Sequence, residues 1–355
     1  PPQIAALLFI LFLLFNYLCA MIFSAVLLQW FKENGRPLPW RQTNDAYAIW
    51  LSEVILQQTR IAQGTAYWER FMAQWPSVDD LAAATEDEVL KAWQGLGYYS
   101  RARNLHAAAR QVVGKGGFPR TFKELKTLKG VGDYTAAAIA SFAFGEPVAV
   151  VDGNVYRVLS RYFGIDTPID STQGKKEFQA MAQSLIPHGE PADYNQAIMD
   201  FGAIQCTPAS PRCAACPLCE TCIAFREHRT EGLPVKSKKV KQRERRFTYL
   251  YIEHQGHIAI HQRGAGDIWQ GLWELPQDTH LTSPDAAGWE GEARLLHKEV
   301  KHVLTHQVIL ADLYLWEPHK RPTLPEDFIW VTRDELQAHA LPRLIEILLA
   351  DIPAD

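Results

Sequence analysis

The chain has 355 residues, a formal charge of -4, 47% hydrophobic residues and 21% charged residues. This composition excludes a disordered, collagen-like or uniformly basic protein, and the length allows two domains with separate cores. A surface that binds a polyanion must therefore be a local cluster of Lys and Arg on a mildly acidic molecule.

The first twenty residues, PPQIAALLFILFLLFNYLCA, are apolar almost throughout. No Lys or Arg precedes them, as it would in a secretory signal, although with the next ten residues they are long enough to cross a bilayer. Met21 begins an amphipathic pattern, MIFSAVLLQWFKENG, typical of a helix that ends at an Asn-Gly turn. We therefore expect residues 1–20 to be an upstream, non-native segment; the alternative is a membrane anchor.

From Met21 to about residue 228 the pattern predicts helices, because apolar residues recur every three or four positions and Gly or Pro separates the runs. In AYAIWLSEVILQQTRIA the apolar stripe includes Ile49, Trp50 and Leu56, and Glu53 falls on it. Burial raises the pKa of a carboxyl group, which suits a general acid near neutral pH. Glu53 is therefore a candidate catalytic acid.

A Gly-Val-Gly turn, made of Gly130, Val131 and Gly132, precedes the alanine-rich run DYTAAAIASFAFG. Glycines allow close backbone approach and a helix N-terminus attracts anions, so the turn predicts a phosphate contact. Downstream, the strand-like stretch EPVAVV leads into Asp152. This carboxylate either caps a helix that starts near Val155 or faces a sugar.

Glu53 and Asp152 together suggest a type of reaction. Cleavage of a glycosidic bond through an oxocarbenium-like state requires one carboxyl group that is protonated and one that is ionised. A buried glutamate and an aspartate that emerges from the edge of a core meet this requirement. The sequence therefore predicts a glycosidic bond as the target.

Five of the six cysteines lie within CTPASPRCAACPLCETC, residues 206–222. Such tight spacing in a large chain indicates a metal site in a reducing compartment and not a disulfide framework. Thiolates of Cys206, Cys213, Cys216 and Cys222 can hold zinc or a [4Fe-4S] cluster. We favour the [4Fe-4S] cluster because all four ligands share one short loop; a zinc site that uses Cys219 remains the alternative.

The segment PVKSKKVKQRERRF is strongly basic and is either a solvated linker or a strap along a phosphate backbone. After it the apolar period changes to two. FTYLYIEHQGHIAIHQR predicts two strands joined at Gln255-Gly256, and KHVLTHQVILADLYLWEP predicts another long β run. LPRLIEILLADI predicts a closing helix, so this part is a mixed α+β domain.

Several of these segments together resemble one family. WLSEVILQQTR, GLGYYSRARNL, LKGVGDYTAAA, VDGNVYRVLSR, YNQAIMDFGAIQC and the cysteine loop are similar to the helix-hairpin-helix DNA glycosylases, specifically the adenine DNA glycosylase (MutY) family. The resemblance implies a multidomain protein. An all-α helix-hairpin-helix glycosylase domain (21–228) with its cluster loop (206–222) would be followed by a basic linker (229–246) and an α+β Nudix-like domain (247–355).

The resemblance assigns the catalytic roles. Glu53 would protonate the adenine ring and assist the incoming water, and Asp152 would stabilise the oxocarbenium ion, either electrostatically or by a transient covalent bond. Asn154 and Tyr134 would position the sugar and the catalytic groups. Related glycosylases of the endonuclease III type hold a nucleophilic lysine where this chain has Tyr134, so the resemblance implies a monofunctional enzyme that uses water and leaves an abasic site.

Further positions are carried over from the family by motif. Gln58 and Tyr98 match residues that fill or wedge the base stack, and Arg41, Gln196 and Asp200 match adenine-pocket positions. A family arginine appears here as Pro208. The Nudix-like part lacks the Glu-rich metal-binding helix, which implies recognition of 8-oxoguanine without hydrolysis. Its recognition loop usually reads Phe-Ser-His; here the residues are Leu304, Thr305 and His306, unless Thr305 and His306 are simply strand residues.

The implied partner is double-stranded DNA with adenine opposite 8-oxoguanine or guanine. We expect a monomer in the cytoplasm, associated with the bacterial nucleoid, and no membrane contact unless residues 1–20 are expressed. One rival is an endonuclease III type activity on oxidised pyrimidines. Another is a non-catalytic DNA-binding or redox-sensing iron-sulfur protein.

Overall fold

The computed structural model describes residues 21–237, 242–277, 293–350 and Ile352. Two compact units divide the chain: Pro1–Val78 with Gln111–Lys238, and Asp79–Arg110 with Lys239–Asp355. The interpretation of residues 1–20 lies outside the described residues. Within the described ranges, no helix has both the length and the apolar character needed to span a bilayer.

The helices and strands follow the two predicted apolar periods. In chain order the helices are α1 (21–34), α2 (Ala46–Ile55), α3 (Ile61–Gln74), α4 (Val78–Ala83), α5 (Glu86–Trp93), α6 (Ser100–Gly114), α7 (Phe122–Leu125), α8 (Asp133–Phe144), α9 (Gly153–Phe163), α10 (Thr172–Leu185), α11 (Pro191–Asp200), α12 (Ile223–Arg226), α13 (Arg333–Leu336) and α14 (Arg343–Leu349). The strands are β1 (Arg243–His254), β2 (His257–Gln262), β3 (Trp273–Glu274), β4 (Arg294–Val303), β5 (Gln307–Trp316) and β6 (Phe328–Thr332).

The first unit is helical, and one hydrophobic core lies between α1, α9, α10 and α11. Phe23 and Leu27 of α1 are fully buried there with Phe178 of α10. This confirms the amphipathic helix predicted after Met21. A π-helical turn, Phe201–Gln205, continues α11 toward the cysteines.

The stretch before Asp152, predicted to be strand-like, is extended but pairs with no strand among the described residues. Side chains of neighbouring helices accept the backbone hydrogen bonds that a neighbouring strand would otherwise accept. The backbone N–H of Val150 donates to Asn195 Oδ1 at 3.0 Å, and that of Ala149 donates to Gln183 Oε1 at 3.0 Å. The chain therefore reaches the start of α9 in an extended form that helices support.

The second unit contains a mixed sheet in the order β3-β2-β1-β5-β4, with β6 paired to β2. Strands β1 and β5 run parallel, and β1 and β2 form the predicted hairpin, whose turn residues Gln255 and Gly256 have φ of 51° and 73°. Helix α14 buries Leu344, Ile345 and Leu348 in the core with this sheet. The predicted α+β architecture is confirmed.

The prediction of one long β run at residues 301–318 is wrong. Two antiparallel strands, β4 and β5, occupy this region, and residues 304–306 form the turn between them. The backbone N–H of Leu304 donates to the Gln307 carbonyl at 2.8 Å and closes the turn. Thr305 and His306 are therefore exposed turn residues, and the alternative that places them in a strand is wrong.

Helix α5 and most of α6 belong to the second unit. Lys91 Nζ donates to the His339 carbonyl at 3.0 Å, and an Arg103 guanidinium N–H donates to the Gln270 carbonyl at 2.5 Å. These contacts join segments far apart in sequence. The domain limits expected from the sequence stay predictions.

Candidate active site and cysteine loop

A pocket of about 290 Å³ in the first unit collects most of the predicted catalytic and adenine-pocket residues. Its walls come from the α1–α2 connection, α2, α8, α9 and α11. The predicted residues that line it are Arg41, Glu53, Tyr134, Asp152, Asn154 and Gln196. These positions span more than 150 residues of sequence, so the fold brings them together.

Glu53 lies near the C-terminal end of α2, a helix in which every residue is buried. Asp45 caps the helix by accepting from the backbone N–H groups of Tyr47 and Ala48. Tyr134 Oη donates to Glu53 Oε2 at 2.7 Å. Burial raises the pKa of Glu53 to about 7, although the Tyr134 hydrogen bond lowers it; nearby Asp152 raises it further.

Burial and the neighbouring carboxylates also raise the pKa of Tyr134 well above its ordinary value. Tyr134 therefore keeps its proton at neutral pH and acts as a donor to Glu53. Gln57 Nε2, at the end of α2, donates to Thr135 Oγ1 at 3.3 Å and further links α2 to α8. The result is a carboxyl group whose pKa lies close to neutrality and that accepts a hydrogen bond from Tyr134.

Asp152 caps α9 and also lines the pocket. The interpretation of Asp152 as a helix cap is therefore compatible with the interpretation that it faces a sugar. Its Oδ1 accepts from the backbone N–H groups of Asn154 and Val155, each at 2.8 Å, and its Oδ2 accepts from Asn154 Nδ2 at 2.7 Å. Burial raises the pKa of Asp152, while these hydrogen bonds lower it. The helix begins at Gly153, two residues before the predicted start.

Arg157, which the sequence analysis missed, fixes the side chain of Asn154. One guanidinium nitrogen donates to Asn154 Oδ1 at 2.8 Å and to the Gly202 carbonyl at 2.6 Å. Another donates to the Cys206 carbonyl at 2.7 Å. The spacing of three puts Arg157 on the same helix face as Asn154, but nothing in the sequence shows that Gly202 and Cys206 lie beside it.

Asp200 is fully buried and holds two arginines of the pocket. Arg41 donates to its two carboxylate oxygens at 2.8 and 2.9 Å. Arg36 donates to the same carboxylate from its backbone and its guanidinium group. Burial alone would raise the pKa of Asp200, but the two arginines lower it. Arg36 lines the pocket and was not predicted.

The Gly-Val-Gly turn connects α7 to α8 as a helical hairpin. Gly130 has a φ of 73°, in the left-handed region that favours glycine, Val131 is buried, and Gly132 caps α8 without a side chain. Lys126 pairs with Asp133 at 2.5 Å beside the turn. The hairpin thus presents backbone at the start of α8, as the predicted phosphate contact requires.

Gln58 and Tyr98 both have positive φ, of 56° and 47°, and both are exposed. Residues other than glycine rarely adopt this conformation, and such strain often marks functional sites. Tyr98 exposes 44% of its surface. Gln58 lies in the first unit and Tyr98 in the second.

The turn between β4 and β5 is held at both ends. Gln242 Nε2 donates to the Leu304 carbonyl at 3.0 Å, and the Arg243 N–H donates to the His306 carbonyl at 3.1 Å. The hydroxyls of Thr305 and Tyr98 form a hydrogen bond within the second unit. Two residues that the resemblance placed at different steps of DNA recognition are therefore neighbours.

The cysteine loop forms a separate depression lined by five thiols, those of Cys206, Cys213, Cys216, Cys219 and Cys222. Arg161 is buried beside it and donates to Cys206 Sγ at 3.4 Å and to the Thr207 and Pro208 carbonyls at 2.7 and 3.0 Å. Burial raises the pKa of Cys216 to about 12. In the described part of the chain, no three His, Cys, Asp or Glu side chains are grouped to hold a single metal ion.

Comparison with known proteins agrees with the fold. Residues 51–187 match the HhH-GPD superfamily of base excision DNA repair proteins, and residues 248–351 match the NUDIX domain family. A thermostable thymine-DNA glycosylase has a similar structure, with a TM-score of 0.55 and 32% identity over 59% of this chain and 97% of its own. The helical hairpin and the buried acid thus belong to a helix-hairpin-helix DNA glycosylase.

Two curated relatives define the family more closely. The adenine DNA glycosylase of Homo sapiens is 34% identical over 90% of this chain and 72% of its own length. That of Buchnera aphidicola subsp. Acyrthosiphon pisum is 31% identical over 92% of this chain and 97% of its own. The chain belongs to the adenine DNA glycosylase family. It is a DNA N-glycosylase of base-excision repair, with a Nudix-like C-terminal region.

Proposed function

We propose that the enzyme hydrolyses the N-glycosidic bond of adenine mispaired with 8-oxoguanine or guanine in duplex DNA and leaves an abasic site. The observation that carries this proposal is the buried pair of Glu53 and Tyr134 in one pocket with Asp152. This arrangement provides a protonated acid and a hydrogen-bonded carboxylate for departure of a base through an oxocarbenium-like state.

The proposed reaction begins when Glu53 donates its proton to the adenine ring. The electron pair of the glycosidic bond then leaves with the base, and the carboxylate of Asp152 faces the positive charge that develops on the sugar. The deprotonated Glu53 accepts a proton from the water that attacks the sugar carbon. Asn154, fixed by Arg157, keeps Asp152 oriented throughout.

Tyr134 supports a monofunctional reaction. Its hydroxyl is committed to Glu53, and burial keeps it protonated, so it supplies neither an amine nor a phenolate nucleophile. Without a covalent link through an amine, the base is released and the sugar stays in the strand as an abasic site, with both of its phosphodiester bonds intact.

The pocket requires the base to leave the duplex. Enzymes of this kind extrude the target base at a cost of about a few kcal/mol in stacking and pairing. Gln58, exposed with positive φ, suits a residue that enters the vacated stack. The hairpin at Gly130, Val131 and Gly132 would hold a backbone phosphate at the start of α8.

We assign reading of the partner base to the second unit. The exposed turn at Thr305 and His306 offers hydroxyl, imidazole and backbone groups, and the hydrogen bond to Tyr98 orients the Thr305 hydroxyl. Leu304 takes the position that is aromatic in the family pattern, so it would contact the base through apolar packing alone.

We further propose that Cys206, Cys213, Cys216 and Cys222 hold a [4Fe-4S] cluster. The donor set fits, because soft thiolates suit iron-sulfur clusters and Arg161 places positive charge beside Cys206. When bound, the cluster would supply iron–thiolate bonds that fix the loop. A four-thiolate zinc site remains the alternative.

A single-turnover assay tests the proposed function. Labelled duplexes would carry adenine opposite 8-oxoguanine, guanine or thymine, or an oxidised pyrimidine opposite guanine, and each reaction would be split between alkali and no alkali. We expect rapid breakage only after alkali, fastest for adenine opposite 8-oxoguanine and slowest opposite thymine. The Thr305→Ala variant should lose the preference for adenine opposite 8-oxoguanine over adenine opposite guanine, but it should still release adenine.

Two results would overturn the proposal. Strand breakage without alkali would contradict a monofunctional reaction. Faster release of the oxidised pyrimidine than of adenine, from folded enzyme that retains its metal, would move the assignment to the endonuclease III type of activity.

A further inference from the structure

We propose that Cys219 is a reserve ligand that can bind the iron otherwise bound by Cys222, an inference that rests on the proposed [4Fe-4S] cluster. In the exchange, the iron–sulfur bond to Cys222 breaks and its thiolate takes up a proton. The Cys219 thiol loses a proton and forms the new bond. The exchange changes neither the electron count of the cluster nor the net number of protons.

The first support is the backbone of the loop. The N–H of Cys216 donates to the Cys213 carbonyl at 3.1 Å, that of Cys219 to the Cys216 carbonyl at 3.1 Å, and that of Cys222 to the Cys219 carbonyl at 3.3 Å. Four cysteines thus follow each other along consecutive i to i+3 hydrogen bonds. Within residues 206–222, only Cys213–Ala215 is a 3-10 helix, and Cys216 and Cys222 have extended backbones, so the turns hold the four cysteines together in one compact loop.

The second support is the position of the Cys219 side chain. It lines the same depression as the other four thiols and is only partly exposed. Leu218, beside it, is buried in the core of the first unit, which anchors this part of the loop. Cys219 therefore faces the proposed cluster site.

The third support is the spacing. Cys213, Cys216 and Cys219 form a Cys-x2-Cys-x2-Cys run, the arrangement in which three thiolates of bacterial-type ferredoxins bind one cluster. Together with Cys206 they make a second complete set of four ligands. The two sets differ only in whether Cys219 or Cys222 supplies the last thiolate.

The test compares four variants purified without oxygen: Cys222→Ala, Cys219→Ala, the double variant, and Cys206→Ala as the control. Cys206 lies outside the three consecutive turns that join Cys213 to Cys222, so we expect Cys219 not to replace it. Iron, acid-labile sulfide and visible absorption measure the cluster. Alkylation with iodoacetamide under native conditions, followed by peptide mass mapping, shows which thiols are not bound to iron.

We expect both Cys219→Ala and Cys222→Ala to keep most of the wild-type iron and sulfide, whereas the double variant and Cys206→Ala lose most of it. Alkylation should modify Cys219 in the wild type and spare it in Cys222→Ala. Thermal unfolding followed by circular dichroism identifies any variant that fails to fold. Cys222→Ala removes no side-chain cap, because α12 starts without one.

Three results would overturn the proposal. Cluster loss in Cys222→Ala equal to that in the double variant would show that Cys219 cannot replace the ligand. Continued alkylation of Cys219 in a cluster-loaded Cys222→Ala variant would show that a group other than Cys219 replaces Cys222 as the iron ligand. Wild-type protein that holds zinc, or no metal, would contradict the cluster itself and leave the glycosylase proposal to its own assay.

Discussion

At the scale of single residues, the burial of Glu53 links stability to pH. The folded protein keeps the Glu53 proton up to a pKa of about 7, whereas the ordinary value is 4.5. The stabilising contribution is therefore complete below about pH 4.5 and is lost as pH rises through 7. A Glu53→Gln variant has no carboxyl group to lose its proton. Between low and high pH its free energy of unfolding should therefore rise by about 3 kcal/mol relative to that of the wild type.

Urea unfolding followed by tryptophan fluorescence at about pH 5 and about pH 8 measures this difference. The Ser52 side chain, on the same helix and fully buried, provides a matched comparison through Ser52→Ala, which changes no ionisable group. Equal pH dependence in Glu53→Gln and wild type would contradict a buried, neutral Glu53.

Removal of the Tyr134 hydroxyl should raise the pKa of Glu53 further. The hydrogen bond lowers that pKa, and a hydrogen bond to a charged group contributes about 1.5–3 kcal/mol. In Tyr134→Phe the high-pH limb of the single-turnover rate should therefore move up by about 1 pH unit or more. If the rate of Tyr134→Phe is lower at every pH but its high-pH limb stays at the wild-type pH, Tyr134 does not act through Glu53.

Sequence reasoning found the residues whose chemistry conflicts with their local pattern. Glu53 was predicted because a carboxylate on an apolar stripe is unusual, and its position in the pocket agrees with that expectation. Arg36 and Arg157 were missed because arginines on helices or loops look like ordinary surface residues. Their importance depends on Asp200 and Gly202, which are distant in sequence and adjacent only in the fold.

At the scale of elements, the π-helical turn packs directly on the start of α9. A Cβ atom on Gly202 would lie 2.6 Å from Asn154 Cβ and 2.9 Å from the Asn154 carbonyl oxygen. Both neighbours belong to a capped helix start, so they cannot move without displacing Asp152. Gly202→Ala should destabilise the protein by about 1–3 kcal/mol and slow adenine release at least about tenfold.

Gly189→Ala is the matched control, because a Cβ atom there would meet nothing within 4 Å. Thermal unfolding and the single-turnover assay on both variants separate a local effect from a general one. Wild-type rates in Gly202→Ala would show that this contact does not position the catalytic carboxylate.

Helices and hairpins were predictable where the local pattern agrees with the fold. The period of two located β1 and β2, and the Gln255-Gly256 pair located their turn. The local pattern did not predict the β4–β5 turn, because Leu304, Thr305 and His306 include no glycine or proline to interrupt the apolar alternation; only the family resemblance placed a loop there. Instead, the hydrogen bond between Leu304 and Gln307 closes the turn, and the hydrogen bonds donated by Gln242 and Arg243 hold it in place.

At the scale of the whole molecule, residues 79–110 depend on the C-terminal part of the chain. Within the second unit, Lys91 and Arg103 donate to carbonyls of residues 339 and 270, and Gln262 Nε2 donates to Asp87 Oδ1 at 2.9 Å. Deletion of residues 239–355 should therefore speed amide hydrogen exchange across α5 and the first turns of α6.

Helix α2, in the first unit, serves as the internal reference for this experiment, and its exchange should change little. Unchanged protection of α5 after the deletion would mean that these helices are stable without the C-terminal residues. The sequence could not predict this arrangement. The hydrogen bonds donated by Lys91 and Arg103 end on backbone carbonyls, which carry no residue-specific signal.

The pH dependence of adenine release tests the central claim most directly. Single-turnover rates on a duplex with adenine opposite 8-oxoguanine would be measured from about pH 5 to about pH 9. Because Glu53 must hold a proton to act as the acid, and its pKa is about 7, the wild-type rate should fall as pH rises through that value. Glu53→Gln should have almost no activity at any pH. A flat wild-type profile across pH 6 to 8, or substantial activity in Glu53→Gln, would contradict a buried Glu53 as the catalytic acid.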